Sequence, residues 1–325
     1  MHVFVTGAAG YIGSVVVERL IQEGHEVTAF DSLKYGHRAA VEPAAKFIEG
    51  DLRDRVMVSN ALKSGPIDAV IHLGAESYID DSVTDPGVFF EVNTSGTGNL
   101  LSVMAEIGCK RMIFSSTAAV FGEPDYIPID ESHPKQPVNA YGESKLQAER
   151  MFPWFHRAHG INHVSLRYFN ACGATEKYGE ARNKETHIIP LLLEVANGKR
   201  QGFTLFGTDY DTRDGTCVRD YVHVIDIADA HIAALAKVDE LKERAYNLGS
   251  GRGYSNREVI GTVREVTGVP IEVNDGPRRP GDPAQLVATH DLAKAELGWN
   301  PKFQELGPMI ESAWTFKQNH PNGYQ

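Results

Sequence analysis

The sequence predicts an α/β fold: a doubly wound parallel sheet joined to a smaller α/β unit. Three observations carry that expectation. At 325 residues the chain exceeds the size that one hydrophobic core usually serves, so two packed units sharing an interface are expected. The first half repeats one cycle: a short β-branched run, a turn of small or polar residues, then a longer segment of helical period. After Asn170 the cycle loosens into polar, glycine-bearing stretches such as Lys177 to Lys184 and Gly207 to Gly215.

Taken in order, the strands are expected at Val3 to Thr6, Glu26 to Phe30, Phe47 to Gly50, Ala69 to Leu73, Arg111 to Phe114 and Val164 to Tyr168, with helices between them. On the first helix Ile12, Val15, Val16 and Leu20 form one apolar stripe, and Gly24 stands where a left-handed C-terminal cap precedes the second strand. Strands alternating with helices pair in parallel, with helices on both faces of the sheet. The boundary is placed after residue 171, giving units 1–171 and 172–325, and the strand-then-helix pattern of 222–236 is expected to pack back on the first.

Composition narrows the function. The chain is 42% hydrophobic and 23% charged, ordinary for a globular protein, and its net charge of −11 comes without any Lys/Arg run. Nucleic acid and anionic membrane surfaces are therefore not expected partners, whereas a few arginines in one pocket still suit an anionic small molecule. Cys109, Cys172 and Cys217 are far apart and lack C-x-x-C spacing, so neither a disulfide framework nor a thiolate metal site is indicated. No leader-like or bilayer-length apolar run is visible, and a cytoplasmic protein is expected.

Gly7-Ala8-Ala9-Gly10-Tyr11-Ile12-Gly13 follows a strand directly and opens a helix. That context lets bare amides approach a pyrophosphate at a helix N-terminus, although the spacing meets the generic dinucleotide fingerprint only in part. Asp31 ends the next strand, where a carboxylate accepts hydrogen bonds from adenosine ribose hydroxyls and repels a 2′-phosphate. NAD is favoured over NADP on that ground, with Lys34, His37 and Arg38 close enough to weaken the inference. Asp51-Leu52 and Leu73-Gly74-Ala75 fall on the same C-terminal edge of the sheet.

Ser115-Ser116-Thr117 closes the fifth strand, and Tyr141 and Lys145 follow at i and i+4, on one helix face with Ala148, Phe152 and Phe155. Pro153 is expected to kink or restart that helix. A phenol of ordinary pKa ~10 must fall by about three units, roughly 4 kcal/mol, to act as a base near neutrality. One cation at ~4 Å in an effective dielectric of ~20 contributes about that much, while desolvation opposes it. Tyr141 with Lys145 is a weak pattern alone and a strong one beside the glycine loop, Asp31 and Ser115 to Thr117. His156, His159 and His163 invite a metal reading but have no carboxylate partner in sequence, and no metal site is expected.

With these residues in place the chain resembles the extended short-chain dehydrogenase/reductase family, and within it the nucleotide-sugar 4-epimerases, almost end to end. The stretches that carry the likeness are GAAGYIGS from Gly7, FSSTAAVFGEP from Phe114, YGESKL from Tyr141, LRYFNACGA from Leu166, DGTCVRDYVHV from Asp214, YNLGSG from Tyr246 and RRPGDPA from Arg278. The resemblance implies a Rossmann-type NAD-binding unit and a smaller unit that binds a UDP-sugar. It implies that UDP-glucose and UDP-galactose are interconverted at C4 through a 4-keto sugar, and that the N-acetylated pair is accepted as well.

By resemblance Tyr141 is the base, Lys145 lowers its pKa and holds the nicotinamide ribose, and Thr117 hydrogen-bonds the sugar 4-hydroxyl. NAD is further expected to meet Ser32, Ser115 and Tyr168. Ser77 belongs to the substrate side, Asn170 to the diphosphate, Arg219 and Arg279 are its clamps, Tyr221 and Asp282 lie near the nucleotide and Phe206 lies beside the uracil. Guanidinium groups are natural partners for a pyrophosphate. His187 stands where many relatives carry asparagine and is expected at the diphosphate or uridine. Leu286 occupies the position that gates N-acetylated sugars. A homodimer through Pro86 to Ile107 and Tyr141 to Phe155 is also implied. The stretch Gly74 to Asp81 resembles 4,6-dehydratases equally well, but those enzymes carry an Asp-Glu pair where Ala118-Ala119 stands here, and elimination needs that acid and base.

Overall fold

The computed structural model of the chain describes residues 1–241, 243–279 and 282–324. Pro280 and Gly281, inside the RRPGDPA stretch, lie outside the described residues. The strands are β1 (His2–Thr6), β2 (Glu26–Asp31), β3 (Lys46–Glu49), β4 (Ala69–His72), β5 (Arg111–Thr117), β6 (Asn162–Tyr168), β7 (Asn170–Cys172), β8 (Phe203–Phe206), β9 (Val218–His223), β10 (Glu243–Leu248), β11 (Gly253–Ser255), β12 (Val273–Gly276) and β13 (Gln285–Leu286). The α-helices are α1 (Tyr11–Gln22), α2 (Arg55–Leu62), α3 (Ile79–Thr84), α4 (Pro86–Phe89), α5 (Gly96–Ile107), α6 (Ala140–His159), α7 (Ile188–Ala196), α8 (Val224–Leu241), α9 (Asn256–Thr267) and α10 (Leu306–Asn319).

Seven of the described strands form one parallel sheet in the order β10-β6-β5-β4-β1-β2-β3. All six expected strands belong to it, some longer than expected: β5 runs on to Thr117. The chain leaves β1 towards β3 and then returns to β4 on the other side of β1. The crevice beyond the C-terminal ends of β1 and β4 is therefore a topological switch point, where such sheets bind ligands.

Alternation sorts the core. Val3 and Val5 face α1 and α8 in one buried cluster, while Phe4 joins Phe30, Val70, Met112 and Phe114 in another, beneath α2, α5 and α6. The second half supplies α8 and β10 to these layers: Ile227, Leu235, Tyr246 and Leu248 are buried in the first cluster. The units expected as 1–171 and 172–325 are thus interleaved in space. A third cluster, built by α7, α9, α10, β8 and Tyr221, fills the smaller unit.

There β9 lies between β11 and β13 and also pairs with β7, so β7, continuing from β6, ties the two sheets together. Asp220, fully buried on β9, accepts hydrogen bonds from the Ser250, Gly251 and Ala288 amides and the Ser250 hydroxyl, which sets its neighbours Arg219 and Tyr221.

The helix bearing Tyr141 begins at Asn139, whose side chain accepts the Gly142 amide at 2.8 Å. A Cβ on Gly142 would meet the Ala119 carbonyl oxygen at 2.4 Å, so glycine lets α6 seat on the segment after β5. The expected restart at Pro153 does not occur: α6 continues through it to His159, with Phe152 buried beneath.

Candidate active site

The turn after β1 is bare backbone under tight constraint. Gly7 has φ +66°, and a Cβ there would lie 2.6 Å from the Gly74 amide nitrogen; one on Gly13 would lie 2.0 Å from the Gly7 carbonyl oxygen. Gly10 caps α1 without a side-chain hydrogen bond, leaving the first-turn amides of Tyr11, Ile12 and Gly13 open to an acceptor. Asp31 is buried beside them. Its two oxygens accept the Ala9 amide at 2.9 Å and the Leu33 amide at 2.8 Å, bonds that work against a pKa raised by burial.

The cations that weakened the choice of NAD have other partners: Lys34 pairs with Glu76, His37 contacts the Ala181 carbonyl oxygen at 2.6 Å, and Arg38 lies over Phe47 at 4.5 Å. Leu73 and Gly74 pin the opposite wall through the Thr6 carbonyl and hydroxyl, with Ala75 following, and Leu52 packs beneath Gly74. Asp51 is held below its ordinary pKa by the hydrogen bond from Arg53 at 2.6 Å, and Ser32 is exposed beside Asp31. Glycine cradle, open amides and a buried ribose-type carboxylate fit a dinucleotide.

At the end of β5 the register sets Thr117 opposite Tyr168, and the Tyr168 hydroxyl bonds the Ser115 hydroxyl. Burial raises the Tyr168 phenol, the Ser115 bond opposing. The Tyr141 phenol is likewise raised by burial; the Thr117 hydroxyl bonded to it and the Arg182 charge work the other way. Lys145 is buried, donates to the Ser115 carbonyl at 2.8 Å and lies 4.7 Å from the centre of the Phe114 ring. Burial lowers it to about 7, against the charge of Glu149.

The Lys145 ammonium, one turn along from Tyr141, donates to a strand carbonyl, and the Arg182 charge also works to lower the phenol.

On the facing side, Arg219 reaches Asp282 at 3.2 Å with its side chain 12% exposed, and Arg279 lies over Phe206 at 4.4 Å. Asn170 neighbours Tyr221 across β7 and β9 and donates to the Asp220 carbonyl at 2.9 Å; Leu286 neighbours Arg219 across β13 and β9. Leu286 also packs on a cluster containing Ala118, Leu146 and Phe169, so the gate position borders the segment after Thr117. Ser77 is half-buried just before Tyr78.

His187, expected at the diphosphate or uridine, caps α7 and pairs with Glu180 at 3.0 Å and Glu185 at 3.3 Å. Desolvation disfavours its charge, but the two carboxylates outweigh it and raise it to about 9.

Four site residues had no signal in the sequence. Glu149 accepts from the Ser116 hydroxyl at 2.5 Å and from Arg167 at 2.9 and 2.6 Å, beneath Lys145. His72 joins Thr6 and Thr97 at 2.6 and 2.9 Å and is held neutral, lowered to about 3 by burial and by Lys145. Asn93 binds Glu76 on one side and Ser144 of α6 on the other. Arg182 comes from the polar stretch after Asn170. Each is a lone polar residue whose partner lies on another element; only the helical spacing of Glu149, four after Lys145, hinted at a shared face.

A parallel sheet with a glycine cradle at its switch point, and a tyrosine at the start of α6 beside the end of β5, defines a dinucleotide-binding enzyme class. Residues 3–249 match the NAD dependent epimerase/dehydratase family, and the chain belongs to it. The UDP-glucose 4-epimerase of Streptococcus mutans is 48% identical over 100% of this chain and 99% of its own, and that of Lacticaseibacillus casei 46% over the same shares. A crystal structure of a UDP-glucose 4-epimerase superposes with a TM-score of 0.97 at 43% identity, covering both chains completely. The UDP-glucose 4-epimerase of Bifidobacterium longum, solved with NAD+ and UDP, superposes at 0.95 with 36% identity and the same full coverage.

Proposed function

We infer that this chain is an NAD-dependent isomerase that interconverts UDP-glucose and UDP-galactose by inverting C4 of the sugar. The observation that carries the reading is Tyr141 bonded to Thr117 at the C-terminal edge of β5, across from the Arg219 strand, with Ala118 and Ala119 contributing no carboxylate for elimination. The glycine turn, Asp31 and Lys145 would hold NAD, which would supply a reversible hydride acceptor for C4 of the sugar.

The residues handle the proton and the position. Tyr141 accepts the 4-hydroxyl proton and later gives it back to the same oxygen, while the Thr117 hydroxyl orients that oxygen. Lys145 holds the nicotinamide ribose and Asp31 the adenosine ribose. Arg219 and Arg279 grip the diphosphate and Phe206 lies beside the uracil, so the nucleotide is fixed. The sugar meets the apolar wall of Leu286, Ala118 and Phe169, which offers few hydrogen bonds and lets the keto sugar turn. Leu286 is shorter than a tyrosine there, and the N-acetylated pair is accepted too.

The large unit thus serves NAD and the smaller one the nucleotide sugar. Among the described residues no helix is long and apolar enough to cross a membrane, in keeping with a cytoplasmic enzyme. Trp154, 67% exposed on α6, supports a homodimer through α5 and α6. Incubation with UDP-galactose is expected to yield UDP-glucose, and with UDP-N-acetylgalactosamine its epimer. Failure of the first conversion by enzyme loaded with NAD would overturn the reading.

A further inference from the structure

We propose that Glu180, Glu185 and His187 form a binding site for one divalent transition cation of the zinc type, which fastens the segment 178–187 to the head of α7. The site goes beyond the epimerase reading and does not depend on which group serves as the base.

His187 stands at the N-cap of α7, and its Nδ1 lies 3.0 Å from an oxygen of Glu180 and 3.3 Å from an oxygen of Glu185. One donor atom from each of the three residues falls within 4.8 Å of the other two. Ligand atoms held at ~2.1 Å from an ion in tetrahedral array stand about 3.4 Å apart, so the triangle already has nearly the size an ion requires. The carboxylate side chains are sheltered, at 7% and 4% exposed, whereas the imidazole is 46% exposed and leaves the site reachable from solvent.

An independent observation points to a ligand. Glu185 Oε1 accepts the Thr186 and His187 amides at 2.8 and 2.9 Å, whereas its Oε2 is buried and, among the described residues, has no hydrogen-bond partner. A buried carboxylate oxygen left without a donor is costly, and a bound cation removes that cost. In the absence of an ion a proton on His187 bridges the pair: burial disfavours it, yet the two carboxylates hold it and raise His187 to about 9. The ion takes the place of that proton. A bond forms from Nδ1 to the ion, the Nδ1–H bond breaks, and the proton leaves to solvent. Two carboxylates balance the divalent charge, and Arg182, whose Nε donates to Glu180 at 2.9 Å, orients one of them from outside. One imidazole with two carboxylates, and no thiolate, suits zinc or manganese better than calcium or a soft monovalent ion, with water in the remaining position.

The placement gives the ion a consequence. The segment is pinned to the NAD side, where the Tyr178 hydroxyl donates to Glu42 at 2.9 Å, the Ala181 carbonyl oxygen meets His37 at 2.6 Å, and Lys184 pairs with Asp81 at 2.6 Å. Helix α7 buries Ile189, Leu192 and Leu193 in the core of the smaller unit. An ion held by Glu180, Glu185 and His187 therefore joins that core to the NAD side.

The test uses the NAD-loaded chain, freed of metal by dialysis against a chelator and titrated with zinc chloride alone in a calorimeter. One ion per chain is expected, and at ~100 times Kd the Tm of a chain of 325 residues should rise by about 4 °C. Glu185→Gln keeps an oxygen for the two amides, and His187→Gln removes the imidazole; each should weaken binding by about tenfold or more. His159→Gln, in the other group of histidines, should bind like the parent.

No uptake with zinc in excess, binding that both cluster variants leave unchanged, or binding abolished by His159→Gln would overturn the proposal. Should a cluster variant fail to fold, cobalt(II) bound to the parent decides: a single hyperfine-shifted exchangeable imidazole proton supports the site, and none or several refutes it. None of these measurements uses turnover, so a failure to convert UDP-galactose would count against the epimerase reading and leave the cation site standing.

Discussion

Replacing Glu149 with glutamine removes one charge and almost no volume from beside Lys145. The carboxylate accepts the Ser116 hydroxyl at 2.5 Å and two Arg167 nitrogens at 2.9 and 2.6 Å, and the paired side chains are only 6% and 9% exposed. Arg167 makes its side-chain hydrogen bonds to Glu149, and its Nη1 already lacks a partner. The variant therefore leaves a buried, uncompensated guanidinium, which costs about 3–5 kcal/mol.

With an unfolding entropy of ~2.1 cal/mol/K per residue, a chain of 325 residues loses about 6 °C of Tm for ~4 kcal/mol. Glu149 also supports the charge of Lys145 against burial, so the lysine pKa should fall further below its present value of about 7. Thermal and urea unfolding of Glu149→Gln measure the first effect. The double variant Glu149→Leu/Arg167→Met, which removes both charges, should recover most of the lost stability. A single variant within about 1 kcal/mol of the parent, or a double as unstable as the single, would refute the account.

Two further outcomes follow from the geometry. Gly13→Ala places a Cβ where the Gly7 carbonyl oxygen already stands, at 2.0 Å, so the turn must open; NAD released on denaturation, measured per mole of protein, should drop sharply, and full retention would contradict the cradle. Burial, acting first, lowers His72 to about 3 and His163, His223 and His231 to about 4. Their folded pKa values lie below the unfolded value of ~6.5, so the unfolded state binds more protons below that pH and stability is lost as pH falls from 6.5 towards 4. His290, lowered by burial, acts with them; Asp220, raised to about 6 by burial, opposes this, as do Glu18, Asp31, Glu131 and Asp226, also raised by burial, and a urea-unfolding free energy that rises as pH falls from 7 to 5 would count against the dominance of the histidines.

Much of the site was legible because its chemistry is local. The glycine turn, Asp31 at the end of the next strand, and Tyr141 with Lys145 four residues on all express a spacing within one or two adjacent elements. The pairing of His187 with Glu180 was not legible, because that carboxylate lies seven residues earlier in a segment with no periodicity.

What the amino-acid order determined by itself was the alternation of strand and helix, the parallel sheet, the dinucleotide turn and the pairing of Tyr141 with Lys145 on one helix, because each follows from backbone preference or from side chains one helical turn apart. Tertiary structure decided the rest: β10 closing the edge beside β6, Glu149 saturated by Arg167 and Ser116, and Ala181 brought to His37 across 144 residues. Those contacts join distant segments, and their partners are chosen by packing and by the need to satisfy buried charge, neither of which leaves a period in the sequence.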